Sequence, residues 1–94
     1  MEDTLLKHFE SEAERIFRNH SDKYGRYAKE LPLPLKMKQS DDFFIATMNK
    51  IRRLSLFYLE NTTGNQKEVA DSLSSIVMSY NNKCLEMKRS ITAA

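Results

Sequence analysis

The chain has 94 residues, of which 40% are hydrophobic and 30% are charged. This length predicts one domain with a modest core, because so short a chain buries only about 60–65% of the surface that its unfolded form exposes. The composition excludes a disordered or membrane-embedded chain. The formal net charge of +2 is too small to predict nucleic-acid binding by itself.

The sequence also predicts where the protein resides. No apolar run approaches the roughly 20 residues that a membrane-spanning helix needs. The acidic start, Met-Glu-Asp-Thr, is unlike a secretory signal peptide, which has a long apolar region. Cys84 is the only cysteine, so an intramolecular disulfide and a Cys2His2 zinc site are excluded. We therefore expect a cytoplasmic protein without membrane association.

The first predicted helix covers residues 3–19. Apolar side chains recur there at three- and four-residue steps, which places them on one side of an α-helix: Leu5, Leu6, Phe9, Ala13, Ile16 and Phe17. Gly25, Pro32 and Pro34 then interrupt the pattern and predict a long connection over residues 21–40. A connection of this length in so small a domain is more often functional than not.

The second predicted helix covers residues 41–60 and starts at Ser40, which two aspartates follow. Its apolar residues spread over much more than the roughly 100° stripe of a one-sided helix. The arc that stays polar is narrow: Ala46, Asn49, Lys50, Arg52 and Arg53. This helix is therefore either the central one of the fold or shared with another subunit, and we expect a homo-oligomer.

The third predicted helix covers residues 65–88. Asn65 and Glu68 have the spacing of a capping box, and one apolar stripe follows: Val69, Leu73, Ile76, Val77, Tyr80, Cys84 and Met87. Residues 89–94 are expected to be a frayed tail. The predicted fold is all-α, a small three-to-four-helix bundle with a long Pro-containing connection between helices 1 and 2.

Bases alternate with aromatic residues in the predicted connection. Such a surface suits phosphate groups and stacked bases, and it comprises Lys23, Tyr24, Arg26, Tyr27, Lys29, Lys36 and Lys38. Lys50 and Arg53, on the polar arc of the second helix, are candidate phosphate contacts. The alternative is that these charges only keep a helical protein in solution. We predict that Tyr24, Arg26 and Tyr27 contact the ligand. We predict that a partner binds the four lysines of this segment: Lys23, Lys29, Lys36 and Lys38.

One pair of carboxylates has the spacing of a metal site. Glu68 and Asp71 are three residues apart and project from one helical face, where a second helix could complete a magnesium site. The alternative is structural, because both residues lie near a helix N-terminus, where acidic side chains are favoured.

Several short motifs together resemble a known family. They are Glu14-Arg15-Ile16, Tyr24-Gly25, Lys50-Ile51-Arg52-Arg53-Leu54, and Asp71-Ser72-Leu73 followed by Ile76 and Tyr80. This order resembles small phage and prophage nucleotide-modification-associated proteins, distant relatives of the MazG-like all-α nucleotide pyrophosphohydrolases. In those relatives a Tyr-Gly follows the first helix, a Lys-x-x-Arg lies in the second, and an Asp-x-x-x-Asp opens the third.

The chain departs from this pattern at the metal site. Ser75 stands where the second aspartate of the third-helix motif belongs, and the Glu-Glu-x-x-Glu string of MazG-like enzymes is absent. Glu68 and Asp71 do match their second motif, Glu-x-x-Asp. The resemblance therefore implies a protein that kept a nucleotide or phosphate pocket and lost hydrolysis, with magnesium as a cofactor only if that site is retained.

Three functions follow from these observations. The first is a non-catalytic phage-type accessory protein, in the host cytosol, that binds a nucleotide or another phosphate-bearing ligand; nucleic acid stays open as a ligand. The second is an inhibitor or adaptor that binds a host protein, for example a CRISPR or other anti-phage component. The third is an active MazG-like nucleotide pyrophosphohydrolase.

Overall fold

The computed structural model describes residues 2–94, and these form three α-helices and one short 3-10 helix, with no β-strand. Helix α1 spans Glu2–Gly25, the 3-10 helix Ala28–Glu30, α2 Leu33–Glu60 and α3 Gln66–Ala93. The prediction of an all-α fold is therefore confirmed. In the part of the chain described, no helix is long and apolar enough to cross a membrane.

The connection between α1 and α2 is shorter than the predicted one over residues 21–40. Helix α1 continues to Gly25, and α2 already begins at Leu33. Pro32 is the N-cap of α2 with extended backbone geometry, and Pro34 lies in the first helical turn. A proline is well tolerated there, because its missing N–H would have no partner inside the helix anyway. The two prolines therefore start α2 instead of lengthening a connection.

Packing explains why α1 continues beyond its predicted end. The ring of Tyr24 lies edge-on to that of Phe43 in α2, with 6.1 Å between the centroids. Gly25 lies against α3, since a Cβ atom added to it would be 3.0 Å from Cε of Met87. Ser40, the predicted helix start, is buried within α2, and its Oγ donates a hydrogen bond of 2.8 Å to the Met37 carbonyl.

The start of α3 agrees with the prediction, but its end does not. Asn65 is the N-cap, and its Oδ1 accepts hydrogen bonds from the backbone N–H groups of Lys67 and Glu68 at 3.1 and 3.3 Å. Residues 89–94 do not form a frayed tail, because α3 continues to Ala93 and Ile91 is only 1% exposed. The early start of α2 supplies a surface against which this last part of α3 packs.

Each α-helix packs against the other two. Phe17 of α1 contributes to both interfaces, because its ring centroid lies 6.2 Å from that of Phe43 in α2 and 6.0 Å from that of Tyr80 in α3. The buried apolar core consists of Phe9, Ala13, Ile16, Ala28, Phe43, Met48, Ile51, Val69, Leu73, Tyr80, Cys84 and Ile91.

The wide apolar arc of α2 is not fully covered by the other two helices. Its residues Ile45, Leu56 and Phe57 are 57–59% exposed, and Met78 of α3 is 60% exposed. Helices α2 and α3 each contribute five buried side chains, and α2 packs against both other helices. The expectation that α2 is also shared with a second subunit stays a prediction.

Candidate functional site

A polar contact joins α1 to α2 beside the aromatic core. His20 is half-buried, and its Nδ1 lies 2.9 Å from Oγ1 of Thr47, which is fully buried in α2. The ring of Tyr24 lies edge-on to the imidazole at a centroid distance of 6.0 Å, and Nζ of Lys23 lies 5.3 Å from the Tyr24 centroid. Together with Lys50, whose charge acts on the imidazole, these residues form what we call the His20 cluster.

The electrostatics of the His20 cluster are positive. The pKa of His20 is lowered, first by burial and then by the charges of Lys50 on α2 and Lys23 on α1. Among the described side chains, neither lysine forms an ion pair with a carboxylate. The cationic form of the imidazole is therefore disfavoured first by burial and then by the two positive charges near it. An anion bound beside the ring would be favoured by the charges of both lysines.

The structure brings together only some of the predicted ligand residues. Lys50 and Tyr24 belong to the His20 cluster, although they come from different helices. Arg53 is exposed and lies three residues after Lys50 on α2, so it shares that face of the helix. These three residues can therefore contribute to one site.

The other two predicted ligand residues lie outside this cluster. The guanidinium of Arg26 donates a hydrogen bond to the carboxylate of Asp22 and forms an ion pair with it. Tyr27 follows α1, and its side chain is exposed. Neither residue contacts the His20 imidazole, so the interleaved bases and aromatics do not form the single continuous surface that the sequence predicted.

The predicted partner-binding lysines are likewise separated. Lys36 donates a hydrogen bond to the carbonyl of Ala94, and Lys38 forms an ion pair of 2.9 Å with Asp42 one turn later on α2. Lys29 is exposed on the 3-10 helix, and Lys23 belongs to the His20 cluster. Solvent screens exposed ion pairs of this kind, so they contribute little to stability and a partner could displace them at little cost.

Glu68 and Asp71 lie in the first turns of α3, and both side chains are exposed. Among the side chains that the structure describes, no three or more His, Cys, Asp or Glu residues form a group that could hold a metal ion. Two carboxylates hold a magnesium ion only together with waters or with phosphate oxygens from a ligand. Magnesium binding by this pair therefore stays a prediction.

The single thiol is unsuited to catalysis. Cys84 is fully buried in α3, and burial raises the pKa of its thiol to about 11. Since the nucleophilic form of cysteine is the thiolate, this side chain stays protonated and inert near neutral pH. The burial of Cys84 agrees with its position on the predicted apolar stripe of the third helix.

A second polar cluster joins α1 to α3. Tyr80 Oη donates a hydrogen bond of 2.8 Å to Oε1 of Glu14, and Arg18 Nε lies 2.6 Å from the other carboxylate oxygen. Nζ of Lys83 lies 3.4 Å from Oε1 of Glu14. These groups lower the pKa of Glu14, with the Tyr80 hydrogen bond as the largest cause. The carboxylate is fully engaged, so this cluster stabilises the helix interface rather than binding a ligand.

A groove runs between α2 and α3, and we call it the α2–α3 groove. Its volume is about 510 Å³. Its lining residues come from α2 and α3 alone: Arg52, Ser55, Leu56, Leu59, Ala70, Leu73, Ser74, Val77, Met78 and Asn81. The lining is mainly apolar. Such a groove suits an apolar side chain or helix better than a phosphate.

His20 and Thr47 were not singled out from the sequence. His20 has no sequence-local metal partner, and it lies one residue beyond the predicted end of the first helix. Two spacings show that each residue stands near a basic one, although they do not show that the two residues meet: His20 stands three residues before Lys23, and Thr47 stands three residues before Lys50. Each spacing places a basic residue on the same helical face as its neighbour.

No protein-family model, no curated protein and no solved structure matches this chain. The resemblance to nucleotide-modification-associated and MazG-like proteins therefore stays a prediction.

Proposed function

We propose that this chain is a non-catalytic binding protein that holds a phosphate-bearing ligand, such as a nucleotide, at the His20 cluster. The observation that supports this proposal is the concentration of positive charge from Lys23 and Lys50 around the half-buried His20. A phosphate would relieve the repulsion among these groups, whereas a neutral ligand would not. Arg53, on the same face of α2, would add a second phosphate contact by its planar guanidinium.

The half-buried position of His20 favours binding over mere solubility. Lys23 and Lys50 are exposed, and a lysine on an open surface interacts weakly with single anions. The imidazole of His20 is instead half-buried beside the Tyr24 ring and the buried Thr47, so part of the solvent is excluded there and charge-assisted hydrogen bonds are stronger. The half-buried ring of Tyr24 would offer an aromatic contact to a nucleobase.

A binding role without hydrolysis agrees with the remaining side chains. Glu68 and Asp71 are exposed and have no third candidate metal ligand among the described side chains, and Cys84 is held as a neutral thiol. Under the proposed kinship with MazG-like proteins, this chain kept basic ligand residues and lost the carboxylates that hold magnesium. We further propose that the helices form a three-helix bundle and that the protein works in the cytosol of a phage host.

Thermal unfolding with nucleotides, with and without magnesium, tests this proposal. A nucleotide that binds only the folded state raises the unfolding temperature according to its concentration and affinity. We expect such a shift with nucleotide alone, without turnover. Turnover that requires magnesium would instead support an active pyrophosphohydrolase. No shift with any nucleotide would contradict the proposal.

The second candidate function is an adaptor or inhibitor that binds a host protein. Exposed apolar side chains in the first turns of α2 favour this role, because they lie next to Lys36 and Lys38 of the same segment: Leu33, Leu35 and Met37. Apolar side chains surrounded by polar groups are typical of protein-binding surfaces. Capture of a single host protein by the wild type, lost in Leu33→Asp with Met37→Asp, would favour this candidate.

A further inference from the structure

The α2–α3 groove leaves large apolar side chains in contact with solvent. Leu56 of α2 and Met78 of α3 line it, yet they are 59% and 60% exposed. Leu73, at the base of the same groove, is only 3% exposed and belongs to the core. The groove is therefore a continuation of the core that no helix among the described residues covers.

We propose that a second copy of this chain covers the α2–α3 groove, face to face across a two-fold axis. An isologous interface uses the same patch on both subunits, so a patch must carry both a depression and a side chain that fills it. The groove and the protruding Leu56 and Met78 lie on one face of one molecule. A rotated second copy would place its own Leu56 and Met78 in the groove of the first.

The charges around the groove permit this pairing. Of the ten lining residues only Arg52 is charged. Repulsion between like charges is the main obstacle to pairing identical surfaces. Two facing copies of this groove would bring few like charges together. The hydroxyl and amide groups of Ser55, Ser74 and Asn81 offer hydrogen bonds to an arginine from the second copy.

The shape of the molecule also permits a dimer. It measures 49 × 17 × 16 Å, so two copies can lie side by side along their length with the α2–α3 grooves facing each other. This inference does not depend on phosphate binding at the His20 cluster.

Sedimentation equilibrium of the full chain tests the proposal. We expect the wild type at micromolar concentration to have twice the 11.0 kDa mass of a single chain. Leu56→Glu should reduce the mass to that of one chain, because a carboxylate would be buried against an apolar surface. Phe57→Glu is the matched control: Phe57 is also 59% exposed but does not line the groove, and this variant should stay dimeric.

A second variant protects the test against misfolding. Ser74→Glu changes an exposed polar residue of the groove and should dissociate the dimer while the helical circular dichroism stays that of the wild type. A wild type that stays at 11.0 kDa, whether alone or with another protein in the groove, would overturn the proposal. Equal effects of Leu56→Glu and Phe57→Glu would overturn it as well.

Discussion

Nδ1 of His20 lies 2.9 Å from Oγ1 of Thr47, and this hydrogen bond ties the C-terminal half of α1 to the middle of α2. Thr47 is fully buried, so its hydroxyl holds the imidazole in one orientation. Since Nδ1 is engaged, Nε2 is the ring nitrogen that remains for a ligand. The charges of Lys23 and Lys50 act on the same ring, which makes His20 a natural reporter of any anion that binds there.

The phosphate role predicts a specific pattern of affinity loss. Replacing both Lys50 and Arg53 with alanine should weaken nucleotide binding at least ten-fold, since one charge-assisted contact contributes about 1.5–3 kcal/mol. Both side chains are exposed, so the double variant should fold as the wild type does. Isothermal titration calorimetry with one nucleotide measures the effect.

Arg52→Ala is the control for that experiment. Arg52 is exposed like Arg53 and adjacent to it, but it lines the α2–α3 groove. Replacing Arg52 with alanine lowers the net charge by one, as replacing Arg53 does. The Arg52 variant should nevertheless leave nucleotide affinity nearly unchanged. If Arg52→Ala weakens binding as much as Arg53→Ala, only overall charge matters and the assignment of Arg53 is wrong.

The contact between Tyr80 and Glu14 predicts a pH-dependent stability. The folded-state pKa of Glu14 is below its ordinary value, so its contribution to stability is present above the ordinary carboxyl range and is lost as the pH falls through the lowered pKa. Tyr80→Phe should therefore cost about 1.5–3 kcal/mol at neutral pH and only about 0.5–1.5 kcal/mol once the carboxylate is protonated.

Urea unfolding of the wild type and Tyr80→Phe, at neutral pH and at a series of pH values below the ordinary carboxyl range of about 4, measures this difference. Equal costs at all these pH values would mean that the hydroxyl does not act through the charged Glu14.

The last turns of α3 provide a test of the fold. Ile91 is 1% exposed, so Ile91→Ala should destabilise the protein by about 2–4 kcal/mol, the usual cost of a cavity left by a buried isoleucine. Glu86→Ala, at an exposed position of α3, should change the free energy of unfolding by less than about 0.5 kcal/mol. Equal stability of the two variants would instead support the frayed tail that the sequence predicted.

The sequence predicted the all-α class, and it predicted the end of α2 at residue 60 and the start of α3 at residue 65, because those signals are local. The stripe from Val69 to Met87 and the cap at Asn65 depend on residues a few positions apart, and the structure confirms the cap. The early start of α2 was missed because Pro32 and Pro34 were interpreted as helix breakers. Prolines are also favoured at a helix start, and here the packing of Ile91 and Lys36 against neighbouring elements supports that second use.

The candidate site was predicted only in part, because its residues meet through tertiary packing. Lys50 was identified from the polar arc of α2, which one helix determines. Its neighbours His20 and Lys23 come from α1, beyond the predicted end of that helix. Pairing of His20 with Thr47 depends on how α1 and α2 align, and no spacing within either helix specifies that alignment.

The protonation of His20 tests the phosphate site most directly. The two histidines of the chain, His8 and His20, give separate imidazole signals in NMR, and His8 is an exposed internal control. We expect inorganic phosphate to raise the pKa of His20, because an anion beside the ring offsets the repulsion from Lys23 and Lys50, while the NMR signals of His8 do not respond to phosphate. A pKa of His20 that does not change with phosphate, or an equal response of the signals of both histidines, would contradict a phosphate site at this cluster.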